Sequence, residues 1–422
     1  MVGLMVQDQD DIISIVLRIR FHRIVIVADA EKMYRMVLQQ WTDRILHMIF
    51  WRDSRDEEIR VFQLNTVTYG TASAPYLATE CLKRLAELDG HKYPEAEKIL
   101  SKDFYVDDMM TGVDSVEDGV KLCSDKQQLL KGGGFNLRKW SSNCRAVLEE
   151  IPAELKDDRN SFELDDSSAT IKTLGLVWDP RIDVFRFKVP EWTSSVICKR
   201  SVVSDLAKIF DPIGLIRIVI VSAKTFVQIL WRQKVSWDEP LQDELRTQWI
   251  EFRTSLSRLE NLQIPRWIAF RKDCLLLELH GICDASMKAY GACIYVRCTH
   301  FDGTITSNLL VAKSRVAPLA ELGKKRKQLT IPRLELSSAV LLAHLYEKTS
   351  ASIPVPTQSY FHTDSMIVRY WLSSNPSRYQ MFVVNRISEV QHLTKNGTWR
   401  HIAGIDNPAD GLSRGVSPAD LQ

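Results

Sequence analysis

The 422-residue chain lacks most of the features that identify a protein quickly. Its eight cysteines (Cys81, Cys123, Cys144, Cys198, Cys274, Cys283, Cys293, Cys298) are scattered, with no CxxC pair and no His/Cys cluster, which argues against a structural zinc site. No DTG or DSG turn occurs, so the paired aspartates of an aspartic peptidase are missing. The most apolar stretch, Leu215–Trp231, has 17 residues interrupted by Arg217, Lys224 and Gln228, and predicts a buried helix with no membrane partner. Neither sign of charge dominates: 55 Lys+Arg against 53 Asp+Glu leave +2, which neither demands nor excludes a nucleic-acid partner. There is no internal repeat and no low-complexity tract. Unclustered cysteines without a signal peptide give the expectation of a reduced, intracellular chain, with cytoplasm and nucleus left open.

What is present is the composition of a globular protein, 45% hydrophobic and 26% charged. At roughly 100–200 residues per domain, the length predicts two to four domains. His22–Ala28 reads as a buried strand ending at Asp29, Glu31–Ile49 as a helix, and Glu58–Tyr69 as a hairpin strand. Ser73–Leu88 and Val116–Leu130 read as helices on either side of a hairpin at Asp103–Gly112, with a strand at Phe135–Trp140. This β-α-β-β-α-β order predicts a ferredoxin-like arrangement. Glu149–Thr170 looks like an exposed connection, Thr173–Trp178 and Val184–Val189 like a strand pair, and Ser201–Gln233 with Glu239–Leu262 like two or three long helices. From about Pro265 the pattern turns α/β, with strands at Leu275–Cys283, Ala292–Val296, Tyr360–Thr363 and Thr398–Ile402. Helices are expected there at Leu334–Tyr346, Ile367–Leu372 and Met381–Leu393.

Four acids of the last third sit where strands or helices can aim them at one point. Asp284 ends an apolar strand, Glu335 opens a helix, Asp364 ends a second strand, and Asp410 lies in DNPADGLSR. Carboxylates so presented suit two Mg²⁺ ions about 3.5–4 Å apart, activating water and stabilising a leaving oxygen in phosphodiester hydrolysis. Taken singly, each acid is as well explained as a turn, cap or first-turn residue.

Their order and settings resemble type-1 ribonuclease H. The strings TIPRLEL, FHTDS and WRHIAGIDNPADGLSRG closely resemble the ribonuclease H of Pao/BEL-type LTR retrotransposon Pol polyproteins. The resemblance implies Mg²⁺ (or Mn²⁺) as cofactor, metal ligation by Asp284, Glu335, Asp364 and Asp410, and a role for His401 in proton transfer or product release. A surface histidine beside Trp399 is the alternative for His401.

The first third is similar to a reverse-transcriptase palm. Asp29 ends the strand IVIVADAEKMY, and Asp107 with Asp108 occupies the hairpin FYVDD. The resemblance makes these three acids catalytic metal ligands, the alternative being an acidic turn. It also makes Tyr34 the aromatic that excludes a ribose 2′-hydroxyl, although a buried helix aromatic explains it equally. Gly70, in YGTASAPYLA, would lie beside the template–nucleotide pair, or is a turn glycine. GFNLRKWSSN, with Lys139 as a substrate-binding residue, and LGLVWDP resemble the later palm motifs.

The stretch around 173–237, with KTLGLVWDP and SDLAKIFDPIGL, also resembles Pao elements, whose profile for this stretch carries a peptidase name. Without the paired-aspartate turns, the residues suit a thumb and connection against a duplex instead. The basic run Lys324–Lys327 suits phosphate contacts or a solvated loop.

The resemblance thus implies a multidomain α/β and α+β chain. A truncated ferredoxin-like palm is expected over 1–148, primer-grip strands and a helical thumb or connection over 149–264, and a ribonuclease H-like domain over 265–422. Only 28 residues precede Asp29, so a full fingers region is missing and polymerisation is doubtful, whereas the ribonuclease H set is complete. The expected activity is Mg²⁺-dependent hydrolysis of RNA in RNA–DNA hybrids. The expected partners are such hybrids, a template–primer duplex and other polyprotein domains. The rival reading is a nucleic-acid-binding relic without catalysis.

Overall fold

The computed structural model describes residues 11–157, 162–163, 176–189, 192, 194, 196–271, 273–319, 329–353, 355 and 357–421. The Lys324–Lys327 run, residues 173–175 of the expected Thr173–Trp178 strand and most of the second half of the expected Glu149–Thr170 connection lie outside them. The chain divides into two compact units, residues 1–160 and 161–422. No helix among the described residues is long and apolar enough to cross a membrane.

The first unit is built on β1 (Ile24–Ala30), whose run of branched side chains is buried almost throughout. Beyond a small exposed hairpin of β2 (Met48–Trp51) and β3 (Arg60–Gln63), the chain forms β4 (Phe104–Tyr105), β5 (Asp108–Val113) and β6 (Leu137–Ser142). These make a sheet of order β4-β5-β1-β6, the expected ferredoxin-like arrangement. Helices Ala74–Asp89, Pro94–Lys102 and Val116–Gly132 supply much of its apolar core. Pro75 opens the first of these helices, where its missing N–H costs nothing. Ser115 caps the last by accepting from the Asp118 amide at 3.1 Å.

The helix expected over Glu31–Ile49 does not form; only Met33–Met36 is α-helical, with a single 3₁₀ turn at Arg44–Leu46. Two physical causes are visible. The segment pairs with the returning chain, Gln39 N donating to Asn65 O and Val67 N to Val37 O, each at 2.9 Å. In addition Leu38, Trp41, Ile45 and Leu46 are all exposed, so an amphipathic helix would gain no burial there.

The second unit contains a small antiparallel sheet of order β10-β9-β8-β7, formed by β7 (Phe162–Glu163), β8 (Leu176–Asp179), β9 (Val184–Phe187) and β10 (Ile264–Pro265). The expected helical stretch resolves into Lys199–Ala207, Arg217–Arg232 and Asp243–Ser255. The larger sheet has the order β13-β12-β11-β14-β15. Its members are β11 (Cys274–Ala285), β12 (Ala289–His300), β13 (Ile305–Val316), β14 (Gln358–Thr363) and β15 (Gly397–His401). The first three are antiparallel neighbours, while β14 runs parallel to β11 and β15 parallel to β14. The strand β13 has no counterpart in the sequence reading.

Alternation along β11 divides the packing. Gly281 faces the helix Ile331–Ser352, where an added Cβ would meet Leu342 at 2.8 Å. Ile282 faces the opposite way, clustering with Cys293, Ala312, Ala409, Leu412 and Ile218. The helix Arg217–Arg232 therefore packs on the sheet that carries the C-terminal acids, together with the short helix Asp410–Arg414.

Candidate active sites

In the second unit, parallel pairing sets Cys283 opposite Thr363. Asp284 and Asp364, one residue on from each, consequently emerge side by side at the same end of β11 and β14. Glu335 sits near the start of the helix Ile331–Ser352, and Asp410 is the first residue of the helix Asp410–Arg414. His401 ends β15 directly opposite Thr363, so it stands at the same sheet end, with its side chain exposed. All five C-terminal residues singled out in the sequence are brought to one end of one sheet.

The acids act on one another electrostatically. Burial pushes the Asp284 carboxyl above its ordinary range, and the charges of Asp364 and Asp410 push it further. Glu335 is raised in the same way, by burial first and then by Asp364 and Asp284. Hydroxyls and a guanidinium oppose this crowding. Ser413 Oγ donates to Asp284 Oδ2, Ser365 Oγ donates to Glu335 Oε2 at 2.6 Å, and Arg414 Nε donates to Asp410 Oδ1 at 2.6 Å. A Cβ on Gly404 would lie 3.5 Å from Asp364 Oδ2, so the turn after β15 borders the same acids.

Ser413, Ser365 and Arg414 were not singled out in the sequence, although each lies within four residues of an acid in DGLSR or HTDS. Asn407 was also missed; it is buried, accepts from the Ala409 amide at 3.0 Å and donates to Cys283 O at 3.5 Å, tying the Asp410 segment to β11.

The donor set is all oxygen and mutually repelling, which suits a hard divalent cation. No three His, Cys, Asp or Glu among the described residues are gathered closely enough to hold an ion by themselves. That does not conflict with Mg²⁺, which commonly takes one or two carboxylates and fills its shell with water and substrate phosphate.

In the first unit, Asp29 on β1 stands opposite Asp108 on β5 in antiparallel register. Directly opposite residues of such a pair project on one face. Asp107 lies in the two-residue turn between β4 and β5, where Val106 adopts a φ of 58°, and its carbonyl accepts from the Ala30 amide at 2.8 Å. Lys139, also left-handed at a φ of 53°, places its ammonium 2.8 Å from Asp29 Oδ2. In this structure Lys139 is therefore the counter-ion of a carboxylate. The Tyr34 phenol is raised by burial, then by Asp107 and Tyr69, and its ring meets Tyr69 edge-on at 4.9 Å. Gly70 has a φ of +82°, a left-handed conformation that glycine adopts without strain, and nothing lies within 4 Å of an added Cβ.

Comparison with known proteins gives three findings. Residues 198–365 match the family model described as Pao retrotransposon-like RNaseH-like domain, a range that runs from the helix Lys199–Ala207 to the residue after Asp364. A solved structure of the foamy viral protease-reverse transcriptase in complex with RNA/DNA hybrid is similar, with a TM-score of 0.57 at 13% identity over 97% of this chain and 47% of that one. The foamy viral protease-reverse transcriptase dRH in complex with ds DNA gives 0.55 at 14% identity, over 94% of this chain and 60% of that one. The chain thus spans about half of those proteins' length, and at such identity the likeness is one of fold. No curated protein matches.

Proposed function

We propose, from the match of residues 198–365 to the Pao retrotransposon-like RNaseH-like domain model, hydrolysis of the RNA strand of RNA–DNA hybrids at the C-terminal carboxylates. The observation that carries this reading is the parallel register of β11 and β14, which puts Asp284 and Asp364 side by side with Glu335 and Asp410 within electrostatic reach. Asp284, Glu335, Asp364 and Asp410 would hold Mg²⁺, which when bound supplies an activated water and stabilises the charge on the leaving oxygen. The chain's own residues position and discharge. Ser413 and Ser365 fix the carboxylate oxygens of Asp284 and Glu335, and Arg414 holds Asp410. His401, exposed at the end of β15, would take or give a proton at the departing oxygen. Under this reading the expected domains, 1–148, 149–264 and 265–422, act as palm, connection and nuclease.

The test is incubation of the full chain with a labelled hybrid, with Mg²⁺ or with EDTA. Metal-dependent cleavage of the RNA strand alone is expected, falling on the order of 10³-fold or more in Asp364→Asn. Equal cleavage in the variant would overturn the assignment. A folded chain that binds hybrid without cutting it would establish the non-catalytic reading.

A second reading, residual RNA-directed DNA synthesis, is favoured by Asp29 facing Asp108. It predicts primer extension on an RNA template with Mg²⁺ or Mn²⁺, abolished by Asp108→Asn. No extension by folded wild-type chain would remove it.

A further inference from the structure

We propose that the seam between the helix Arg217–Arg232 and the edge strand β13 is a binding track for nucleic-acid backbone phosphates, formed by Lys224, Lys313 and Arg315 with Arg217 at its head. Two anchors fix the seam. The Ala312 amide donates to Ile213 O at 2.9 Å, and the Gln228 side-chain amide donates to Ala317 O. Between the anchors the helix presents Arg217 and Lys224, two turns apart and so on one face. The strand presents Lys313 and Arg315, an alternate pair, exposed on one side.

The seam gathers like charge with little internal compensation. Burial, then Arg217, then Lys313 and Arg315 bring the Lys224 ammonium down to about 8 against the pull of Asp211. Lys313 is lowered too, by burial and then by Arg315 and Arg217. Asp211 is itself buried and already engaged, accepting from the Leu215 amide at 2.8 Å and the Ile216 amide at 3.3 Å. No ion pair joins Lys224, Lys313 or Arg315 to a carboxylate among the described residues. Arg217 is the compensated member: it pairs with Asp211, Nε lying 3.8 Å from Oδ2 and Nη2 donating to Asp211 O at 2.7 Å, which leaves Lys224, Lys313 and Arg315 to carry the track. Cations held together in this way repel one another, and a bound anion removes the repulsion.

The cations are spread over two turns of the helix and three residues of the strand, an extent that suits a chain of phosphodiesters better than a single small anion. The same helix supports the candidate active site: Val416 N donates to Ile218 O at 2.9 Å, and a Cβ on Gly415 would lie 2.2 Å from Ser222 Oγ. A backbone bound on the seam therefore runs beside the element that carries Asp410. This inference rests on the proposed engagement of hybrids and adds a binding surface to it.

The experiment compares the full chain with the triple variant Lys224→Gln/Lys313→Gln/Arg315→Gln, in EDTA so that nothing is cut. Hybrid affinity is titrated between 50 and 200 mM salt. Losing three phosphate contacts should flatten the log–log salt slope by about 2.7, so that the roughly 40-fold weakening those contacts contribute across this range disappears. Circular dichroism and melting confirm that the variant is folded. In parallel, lysine acetylation of the wild type is mapped by mass spectrometry, without ligand, with hybrid and with inorganic phosphate. Protection of Lys224 and Lys313 by hybrid supports the track. Unchanged slope and unchanged acetylation in a chain that does bind hybrid overturn the track and leave the proposed function standing. A folded wild type that binds no hybrid overturns both. Protection by inorganic phosphate without hybrid binding replaces the track with a free-anion site.

Discussion

Ser365 Oγ donates a 2.6 Å hydrogen bond to Glu335 Oε2, joining the residue after Asp364 to a carboxylate on a different element. The same hydroxyl accepts from the Val368 amide at 3.2 Å and so caps the helix Met366–Ser373. Ser365→Ala is expected to lower hybrid cleavage by roughly 10- to 100-fold through disorientation of Glu335. It should also cost about 1 kcal/mol through the lost cap. Ser365→Gly separates the two effects, because glycine costs only a few tenths of a kcal/mol at an N-cap but leaves Glu335 without its donor. Melting temperature should be nearly retained in that variant while cleavage falls. Equal cleavage in Ser365→Gly and wild type would show that the contact does not position Glu335.

Asp284 is held against Asp364 and Asp410 at a cost in stability, since burial and like charge both disfavour its ionised form. Asp284→Asn relieves that repulsion and can still accept from Ser413. The variant is expected to melt a few degrees higher, on the order of 1 kcal/mol, while cleaving at background rate. Added Mg²⁺ should raise the melting point of the wild type, reversibly with EDTA, and raise that of the variant less. A wild-type melting curve indifferent to Mg²⁺ at millimolar concentration would count against metal binding at these acids.

The elements that position the acids were legible because each carries a local pattern strong enough to survive folding. Apolar runs ending in an acid gave β1, β11 and β14, and the expected helix Met381–Leu393 appears with the same bounds. The strand β13 escaped because ITSNLLVAKSRV alternates poorly, being half covered by the helix Arg217–Arg232 and half exposed. The segment after Asp29 misled because helical spacing says nothing of what will cover a helix, and here Leu38, Trp41 and Ile45 stay exposed. The residues that hold the acids, Ser365, Ser413 and Arg414, became visible only in space. Ser413 and Asp284 are 129 positions apart in the chain.

Lys126 is wholly buried in the first unit, donating to Ala96 O at 2.6 Å and lying 5.7 Å from the Phe104 ring centre. Burial drives its ammonium well below the ordinary lysine range, with Asp103 opposing. Because the folded value is depressed, the unfolded chain holds the proton more tightly. Stability should therefore rise with pH up to the unfolded lysine range and fall as pH drops toward the folded value. Lys126→Met loses a hydrogen bond of about 1 kcal/mol but no longer buries an amine. Urea titrations at pH 6, 7.5 and 9 are expected to show a smaller pH slope in the variant than in the wild type. Parallel slopes would mean that Lys126 titrates as an ordinary lysine.

Gly214 is the point where the DPIGL loop meets the larger sheet of the second unit. Its φ is +78°, and an added Cβ would sit 1.9 Å from Ala312 O and 2.6 Å from Ala312 C. Those atoms cannot swing aside, since Ala312 pairs with Cys293 on β12 and its amide donates to Ile213 O. Gly214→Ala must therefore lift the loop, and with it the start of the helix Arg217–Arg232, off the sheet. A cost of about 3 kcal/mol or more is expected, a melting point lower by on the order of 10 °C. Gly303, in the turn between β12 and β13, provides the control: its φ is +79°, with nothing within 4 Å of an added Cβ. Gly303→Ala should cost only the left-handed backbone term, roughly 1 kcal/mol. Equal losses in the two variants would show that conformation alone requires glycine at 214, and that the helix does not depend on this close approach for its seat on the sheet.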